Sequence, residues 1–512
     1  MQLAHLVATS AAVAATRARS AKVERLAATL RDAVPYAASH PDPDRLVAVV
    51  ADYLAGTLPQ RTIGVGWRGL QDLPDPAAES SLTIHDVDQA LTAIKHLQGQ
   101  GSTSKRTQHV HDLFARATAD EQRWLQGLIT GELRQGASDG VLLPAIAQAA
   151  DVKESLVRRA VMLAGFPGPV AAAALLHGAQ ALEQIRLEVG RPLRPMLAGS
   201  APDVASAFPD GTATAVDAKL DGIRIQGHLD RSAEPRVRLF TRSLEEITDR
   251  LPEVVAAIEE LPADTAVVDG EVIALAEDGR PQPFQVTGAR TASSADPEKL
   301  ARETPVTTYL FDLLHLDGTD LVDEPATTRW AALAELAPGL VVDREVTEDA
   351  QQAQEFFEWV LARGHEGVVV KDPTAPYAAG RRGAGWVKVK PRRTADLVVT
   401  GVEWGSGRRQ GWLSNIHLAA RGADGELVMV GKTFKGMTDA ILEWQTERLL
   451  GLETRRSGHV VEVEPVQVVE IAYDGVQASR RYPGGIALRF ARVLRYRDDK
   501  GPEGIDTVED LR

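Results

Sequence analysis

The sequence contains no cysteine, no long apolar segment and no internal repeat. Without cysteine the chain can have neither disulfide bonds nor thiolate-bound zinc, which is what we expect of a cytoplasmic protein. No apolar run approaches the ~20 residues that span a bilayer. The N-terminal segment Met1-Gln-Leu-Ala-His5 lacks the charged and apolar regions of a signal peptide. We therefore expect no membrane partner.

Acidic residues are in excess, and the 512-residue chain has a net charge of −14. A uniformly acidic surface would disfavour nucleic acid, whose phosphates bind basic surfaces. The basic residues are clustered, however: residues 371–409 contain nine Lys/Arg against three Asp/Glu, and residues 476–500 contain seven against two. Tryptophan or tyrosine side chains are interspersed in both clusters. The two clusters therefore keep a nucleic-acid partner possible.

The length and the hydrophobic fraction of 44% predict a globular protein with several domains. In residues 1–190, apolar side chains recur at three- and four-residue steps, for example at Val23, Leu26 and Leu30. This periodicity predicts an all-α N-terminal domain. The proline-punctuated segment Arg191-Pro-Leu-Arg-Pro-Met-Leu-Ala198 predicts an extended linker after it.

The pattern of predicted secondary structure changes after this linker. Residues 191–391 alternate short strand-like and helix-like segments, which predicts an α+β domain with mostly antiparallel sheets. Strands are predicted at 214–219, 237–241, 266–275, 307–312, 367–371 and 386–390, and helices at 244–261, 330–336 and 350–363. In residues 392–512, about five strands and one helix at 439–450 predict a small OB-fold β-barrel.

The segment Ala215-Val-Asp-Ala-Lys-Leu-Asp-Gly-Ile-Arg-Ile225 places Lys219 between a short apolar strand and an Asp-Gly turn. A lysine amine is a nucleophile once it is neutral, which requires burial or nearby positive charge. The turn and Arg224 would then hold a reactant that carries phosphate. A surface hairpin explains the same residues, because Asp-Gly is a common turn sequence. This segment alone leaves both interpretations open.

Two other predicted strands carry charges within apolar runs. In residues 266–275, Asp269 and Glu271 share one strand face. Two buried carboxylates are costly unless a cation, a metal or a ribose hydroxyl contacts them. In residues 386–390, Lys388 and Lys390 also share a face about 7 Å apart, a spacing that suits a polyphosphate. Exposed strand faces are the alternative in both cases.

The order of these segments resembles the covalent nucleotidyltransferases, which comprise DNA ligases, RNA ligases and mRNA-capping enzymes. The motif segments are Lys219-Leu-Asp-Gly222, Phe240-Thr-Arg242-Ser, Asp269-Gly-Glu271, Tyr309-Leu-Phe-Asp312, Glu366-Gly-Val-Val-Val-Lys371, Trp386-Val-Lys-Val-Lys390 and Arg489-Phe-Ala-Arg-Val-Leu-Arg-Tyr-Arg-Asp-Asp-Lys500. In the last of these, Arg497-Asp-Asp-Lys500 is the Arg-x-Asp-Lys element. Gly131-Glu-Leu-Arg-Gln-Gly136 and the linker resemble the helical DNA-binding domain and linker of ATP-dependent DNA ligases. The whole chain therefore resembles a bacterial ATP-dependent DNA ligase. Ala491, where proline is frequent in the family, is a small departure.

The resemblance implies that the protein acts as a monomer on nicked duplex DNA, with ATP as co-substrate and Mg²⁺ as the metal. Lys219 would attack the ATP α-phosphate and release pyrophosphate. The AMP would then pass to the 5′-phosphate at the nick, and the 3′-hydroxyl would displace it and seal the strand.

The resemblance also implies roles for individual side chains. Around the nucleoside, Asp217 and the adjacent backbone would read adenine, Phe311 would stack on the base, and Glu271 would hold the ribose. Arg224 and Arg242 would hold the sugar and phosphates, and Arg382 (or its neighbour Arg381) would contact the nucleotide. Lys388 and Lys390 would neutralise the α-phosphate. Glu271 and Glu366 would face the metal. Arg497 and Lys500 would orient the leaving pyrophosphate.

Four other interpretations are less consistent with the sequence. An RNA ligase or a capping guanylyltransferase is disfavoured by the long helical N-terminal region, and an NAD-dependent ligase by the lack of cysteines for that family's zinc site. A non-catalytic DNA-binding protein would have lost its nucleophile or metal carboxylates, yet Lys219, Glu271 and Glu366 are present. The sequence does not choose between replication, repair and recombination. It also leaves the domain arrangement open, and an open form would place Arg497 and Lys500 far from Lys219.

Overall fold

The computed structural model describes residues 1–99, 101–133, 135–209, 211–293, 295–379, 385–391, 393–406 and 409–512. Arg381 and Arg382, and with them the predicted nucleotide contact from this pair, lie outside the described residues. No helix in the described ranges is long and apolar enough to cross a membrane.

The N-terminal region is helical, as predicted. Its α-helices are α1 (Leu3–Ala15), α2 (Arg19–Ala37), α3 (Pro43–Leu54), α4 (Ile84–His96), α5 (Ser102–Ala115), α6 (Ala119–Thr130), α7 (Asp139–Ala150), α8 (Glu154–Ala164), α9 (Pro167–Ala172) and α10 (Gly178–Glu183). Side-chain hydrogen bonds determine where several of these helices begin. Thr83 and Thr118 form capping boxes with the carboxylates three residues on. Leu26 and Leu30 of the predicted stripe are fully buried in the core that these helices share.

The central region contains two five-stranded sheets. The first sheet has the order β1 (Gly199–Ala201), β10 (Trp386–Val389), β9 (Gly367–Lys371), β2 (Thr214–Lys219) and β8 (Arg344–Thr347). The second has the order β4 (Val237–Thr241), β3 (Ile223–Asp230), β5 (Thr265–Ala274), β6 (Val306–Leu316) and β7 (Thr319–Asp320). Only β1 and β10 pair in parallel among the described strands of these sheets, so the antiparallel prediction is confirmed.

Short helices cover the two sheets: α11 (Val204–Ala207), α12 (Pro252–Glu259), α13 (Phe284–Ala292), α14 (Pro297–Glu303), α15 (Ala326–Leu336) and α16 (Ala350–Ala362). The helix predicted over 244–261 is confirmed only from Pro252 onward. Leu244 has φ 67°, in the left-handed region, and Pro252 occupies the first turn, where its ring prevents the helix from extending back toward Leu244. The strand β3 and the edge strand β8 had not been predicted.

The C-terminal region is rich in strands, and it has more of them than the five predicted. They are β11 (Arg393–Trp404), β12 (Leu413–Arg421), β13 (Leu427–Thr433), β14 (Glu453–Ser457), β15 (Val460–Val463), β16 (Val468–Tyr473), β17 (Gly475–Ala478), β18 (Ile486–Arg489) and β19 (Arg492–Arg497). The predicted helix is present as α17 (Asp439–Leu450), capped by Thr438. Seven strands form one sheet, and β17 and β18 form a separate hairpin.

Candidate active site

A cleft of about 1810 Å³ is lined by residues of both central sheets and of the C-terminal region, and Lys219 is one of them. Strand alternation explains how the first sheet supplies the charged wall. Lys219 of β2 pairs with Gly367 of β9, and Asp217 pairs with Val369 on the same face. The opposite face carries Val216, with its neighbours, into a buried apolar cluster. The charged side chains therefore point into the cleft because the alternate residues form the core.

The Lys219 ammonium forms an ion pair with Glu366 and also donates to the Leu220 carbonyl at 3.3 Å. Its side chain is only 22% exposed. Burial lowers the pKa of Lys219 below its ordinary value, while Glu271 and Asp221 act in the opposite direction. Glu366 also pairs with Lys390, whose pKa is lowered first by burial and then by the charge of Lys219. One carboxylate thus holds two lysines that are expected to act on phosphate.

The Asp221-Gly222 turn is fixed against the second sheet. The backbone N–H of Gly222 donates to Glu271 Oε1 at 2.7 Å. A Cβ at this glycine would lie 2.3 Å from the Val272 carbonyl oxygen, so no other residue fits without moving the strand. Burial raises the pKa of Glu271 above its ordinary value. The turn therefore brings the carboxyl group of Glu271 close to Lys219.

The predicted base-reading residue Asp217 is almost fully buried and binds two cations. Arg344 donates to both of its oxygens at 2.5 and 2.8 Å, and the Lys371 ammonium lies 2.6 Å from Oδ2. Phe311 lines the same end of the cleft, where the Lys371 ammonium lies 4.7 Å from its ring centroid and 4.2 Å from that of Trp386. This end is aromatic and charged, with the Phe311 and Trp386 rings nearly perpendicular to each other.

Arg224 lines the cleft, and its guanidinium is fixed by hydrogen bonds to other groups of the protein. Its guanidinium makes a bidentate pair with Asp269 at 3.0 and 2.6 Å and donates to the Met196 carbonyl at 2.6 Å. Tyr377 donates to the same Asp269 at 2.6 Å. The two carboxylates predicted on one face of β5 therefore have different partners, because Asp269 is neutralised by Arg224 and Glu271 caps the turn.

The remaining predicted phosphate-binding side chains, Arg242 and Lys388, also line the cleft. The structure thus brings together nine of the residues singled out in the sequence: Asp217, Lys219, Arg224, Arg242, Glu271, Phe311, Glu366, Lys388 and Lys390. These residues span more than 170 positions of the chain. Their convergence on one cavity is the property that a nucleotidyl-transfer site requires.

Arg497 and Lys500 are not among the residues that line this cleft. Both bind Asp396, at 3.0 Å from Arg497 Nη1 and 2.7 Å from Lys500 Nζ. The C-terminal region instead presents Asp474 and Arg489 to the cleft. Asp474 pairs with Lys390 at 3.2 Å, and Arg489 pairs with Asp221 at 2.7 Å. The structure therefore shows the arrangement in which Arg497 and Lys500, at the end of the last motif, lie away from Lys219.

Sequence reasoning did not identify Arg344, Asp474 or Arg489 as site residues. Arg344 lies on the edge strand β8 and meets Asp217 only through strand pairing. Arg489 is the first residue of the last motif segment, but no local pattern connects it with Asp221. Lys371 was visible as the base that ends the segment beginning at Glu366, and that signal could have placed it in the site.

Comparisons with known proteins agree with this geometry. Three family descriptions match the chain: "DNA ligase N terminus" over residues 67–147, "ATP dependent DNA ligase domain" over 195–390 and "ATP dependent DNA ligase C terminal region" over 409–500. A protein of Nocardioides sp. called "Probable DNA ligase" is 58% identical over 100% of this chain and 98% of its own length. A protein of the same name from Mycobacterium marinum is 52% identical over 100% of this chain and 99% of its own length.

A solved structure described as "Pmar-Lig_PreS3" is similar in fold along almost the whole chain. It has a TM-score of 0.61 and 19% identity, and the match covers 96% of this chain and 99% of that one. The helical, central and strand-rich regions therefore occur together, in the same order, in another protein.

Proposed function

Because the chain belongs to the ATP-dependent DNA ligase family, we propose that Lys219 is the nucleophile that carries AMP during the sealing of nicks in duplex DNA. The observation that carries this proposal is the position of the amine. Lys219 is largely buried and lies in a cleft whose lining includes cations, carboxylates and aromatic rings suited to a nucleoside triphosphate.

The first step begins when Lys219 loses its proton, and burial favours the neutral amine. The amine lone pair attacks the ATP α-phosphorus, the bond from that phosphorus to the bridging oxygen breaks, and pyrophosphate leaves. Lys388 and Lys390 neutralise charge on the reacting phosphate, and the aromatic end of the cleft at Phe311 holds the base in place. An N–P bond to AMP is the product.

In the second step an oxygen of the DNA 5′-phosphate attacks the AMP phosphorus, and Lys219 leaves and regains a proton. In the third step the 3′-hydroxyl attacks the activated 5′-phosphorus, AMP leaves, and the strand is joined. Arg242 lines both the Lys219 cavity and a second groove between the helical and central regions, so it is placed to contact phosphate on either nucleic acid or ATP.

The carboxylates of the cleft fit Mg²⁺, which prefers one or two protein carboxylates and completes its shell with water and phosphate oxygens. Glu271 and Glu366 both line the cleft beside Lys219 and would hold the ion. When bound, the metal supplies positive charge to the triphosphate oxygens. No group of three metal-ligating side chains occurs in the parts of the chain that the structure describes, which is consistent with a site completed by the nucleotide.

The regions are proposed to act as three domains, with limits at 1–190, 191–391 and 392–512. Each has its own apolar core. The C-terminal domain is proposed to be an OB-fold barrel, on the basis of its antiparallel seven-stranded sheet and single helix. Arg497 and Lys500 would reach the pyrophosphate only after this domain turns, so we propose that it rotates between the adenylation step and the DNA steps. The protein is proposed to act as a cytoplasmic monomer.

The test is to incubate the protein with α-labelled ATP and Mg²⁺ and then denature it. The wild type should retain label through a bond that acid breaks, and Lys219→Arg should retain none. Lys299→Arg is the matched control, because Lys299 is an exposed lysine on α14. Label taken from GTP or NAD⁺ instead of ATP would refute the proposed co-substrate. An adduct that seals nicked RNA but not nicked duplex DNA would refute the proposed substrate.

A further inference from the structure

Among its described residues, the C-terminal region presents a single carboxylate to the cleft, that of Asp474. The other residues of this region that line the cleft are cationic, aromatic or glycine: Arg409, Phe434, Lys435, Gly436, Arg489, Phe490 and Arg492. A cationic and aromatic wall suits phosphate. The carboxylate of Asp474 therefore opposes the character of the surface around it.

The backbone fixes Asp474 beside Arg489. Asp474 directly follows β16, and its N–H donates to the Arg489 carbonyl at 3.0 Å. The next residue, Gly475, pairs with Arg489 in the β17–β18 hairpin and has φ 148°, a backbone conformation that disfavours any residue with a side chain. Asp474 and Arg489 therefore enter the cleft together, and both leave it when the C-terminal region turns.

Inside the cleft, the Asp474 carboxylate contacts Lys390. Its Oδ2 lies 3.2 Å from Lys390 Nζ, and the Lys390 ammonium also pairs with Glu366. Two carboxylates thus contact one ammonium that is proposed to neutralise phosphate charge. Glu366 and Lys390 flank the paired strands β9 and β10, so they stay together. Asp474, in contrast, belongs to the region that is proposed to rotate.

A carboxylate and a phosphate compete for the same ammonium, because both are anions that accept its N–H donors. While two carboxylates contact Lys390, their combined charge exceeds that of the ammonium, and an incoming triphosphate is repelled by Asp474. When Asp474 is removed, Lys390 keeps one counter-charge and has an N–H donor free for a phosphate oxygen. The docked arrangement, with Asp474 and Arg489 in the cleft, therefore opposes the binding of a triphosphate.

We propose that Asp474 is an internal competitor of ATP, which holds Lys390 while the C-terminal region is docked and releases it to the triphosphate when this region turns. The inference rests on the proposed function in that Lys390 binds ATP phosphate. Asp474 then controls the order of the steps. ATP enters the cleft before the C-terminal region docks, and it is disfavoured while the region is docked for the steps on DNA.

The test measures the binding of α,β-methylene-ATP, in which a CH₂ group replaces the oxygen between the α- and β-phosphorus atoms. Lys219 cannot displace pyrophosphate from this analogue, so its Kd reports binding alone. The Kd is determined by titration calorimetry with Mg²⁺ for the wild type and Asp474→Asn. The substitution keeps the size of the side chain and removes its charge. It should lower Kd about fivefold, as expected for the loss of one competing, partly exposed ion pair.

Two matched variants control for the charge and for the site. Asp474→Glu keeps the carboxylate and should bind the analogue as the wild type does. Asp424→Asn removes an exposed carboxylate between β12 and β13, outside the cleft, and should also leave Kd unchanged. Adduct formation from ATP gives a second measurement. Asp474→Asn should lower the KM for ATP about fivefold and leave kcat unchanged, because Asp474 opposes the entry of ATP and not the transfer of AMP.

The inference is overturned if Asp474→Asn binds the analogue as weakly as the wild type or more weakly, or if Asp424→Asn has the same effect. If the wild type forms the adduct while Asp474→Asn leaves Kd unchanged, the competition is refuted and the proposed function stands. If Asp474→Asn tightens binding but the wild type forms no adduct, the competition is supported and Lys219 is refuted as the nucleophile.

Discussion

Arg489 and Asp221 are 268 positions apart in the sequence and form an ion pair in the structure, with 2.7 Å between Arg489 Nη1 and Asp221 Oδ2. Asp221 belongs to the turn that follows the nucleophile, and Arg489 ends a strand of the C-terminal region. A second pair, between Asp474 and Lys390, joins the same two regions. These contacts hold the C-terminal region against the cleft while Arg497 and Lys500 lie outside it.

Charge reversal at Arg489 should therefore separate the two regions. Arg489→Glu removes the ion pair with Asp221, and a partly exposed ion pair of this kind contributes about 1 kcal/mol to stability. The new carboxylate also repels Asp221. Small-angle scattering should show a larger radius of gyration than for the wild type. Arg495→Glu is the control, since Arg495 pairs with Glu470 within the C-terminal region. An unchanged scattering curve for Arg489→Glu would show that the ion pair does not hold the arrangement.

Arg497 and Lys500 should affect only one step of the reaction. Both bind Asp396 outside the cleft and would meet ATP only after rotation of the domain. The double variant Arg497→Ala, Lys500→Ala should slow adduct formation from ATP about 100-fold, the order of loss seen when a group that stabilises transition-state charge is removed. The same variant supplied as preformed adduct should seal nicks at the wild-type rate.

The matched control for that double variant is Arg455→Ala, Arg456→Ala, which removes two exposed arginines of β14. It should leave adduct formation unchanged. Equal slowing of the sealing step by Arg497→Ala, Lys500→Ala would contradict a role confined to pyrophosphate release.

The buried cluster around Asp217 should dominate the stability of the first sheet. Asp217→Asn leaves Arg344 and Lys371 buried without their counter-charge and should reduce the free energy of unfolding by about 3–5 kcal/mol. Arg344→Met leaves the Asp217–Lys371 pair intact and should cost less. Urea denaturation measures the change in the free energy of unfolding for both variants. A larger loss for Arg344→Met than for Asp217→Asn would show that burial of unpaired charge is not the cause.

Acid should destabilise the protein partly through His228, which is buried on β3. Its Nδ1 accepts from the Gly190 N–H at 3.0 Å, and its Nε2 lies 2.8 Å from Gln226 Oε1. Burial lowers the pKa of His228 to about 3 from the ordinary 6.5. The unfolded chain therefore binds one more proton than the native protein between these values. His228 contributes stability above pH 6.5 that is lost as the pH falls toward 3.

The readout is the pH slope of stability between pH 6 and about pH 4. It should be as much as about 1.4 kcal/mol per pH unit steeper in the wild type than in His228→Gln, the value for one proton. The absolute stability of the variant at pH 7 is not the test, because it also loses packing and hydrogen bonds. Parallel curves for the two proteins would mean that His228 is not neutral in the native state.

Much of the fold followed from local patterns in the sequence. The strand at 214–219, the helix at 439–450 and the apolar stripe of α2 depend on alternation and periodicity, which are properties of neighbouring residues. The same local logic placed Lys388 and Lys390 on one face. It failed at residues 244–251, where the apolar spacing fits a helix but the backbone turns at Leu244.

The sequence by itself determined the candidate nucleophile Lys219, the turn beside it and the order of the charged strands. Each of these features depends only on a short stretch of adjacent residues. Only the tertiary structure decided that Arg344 neutralises Asp217, that Arg224 is bound to Asp269, and that Arg489 reaches the cleft while Arg497 does not. The physical reason is that strand pairing and domain docking determine which oppositely charged side chains come into contact. Both depend on the burial of apolar residues far apart in the chain, which no local pattern encodes.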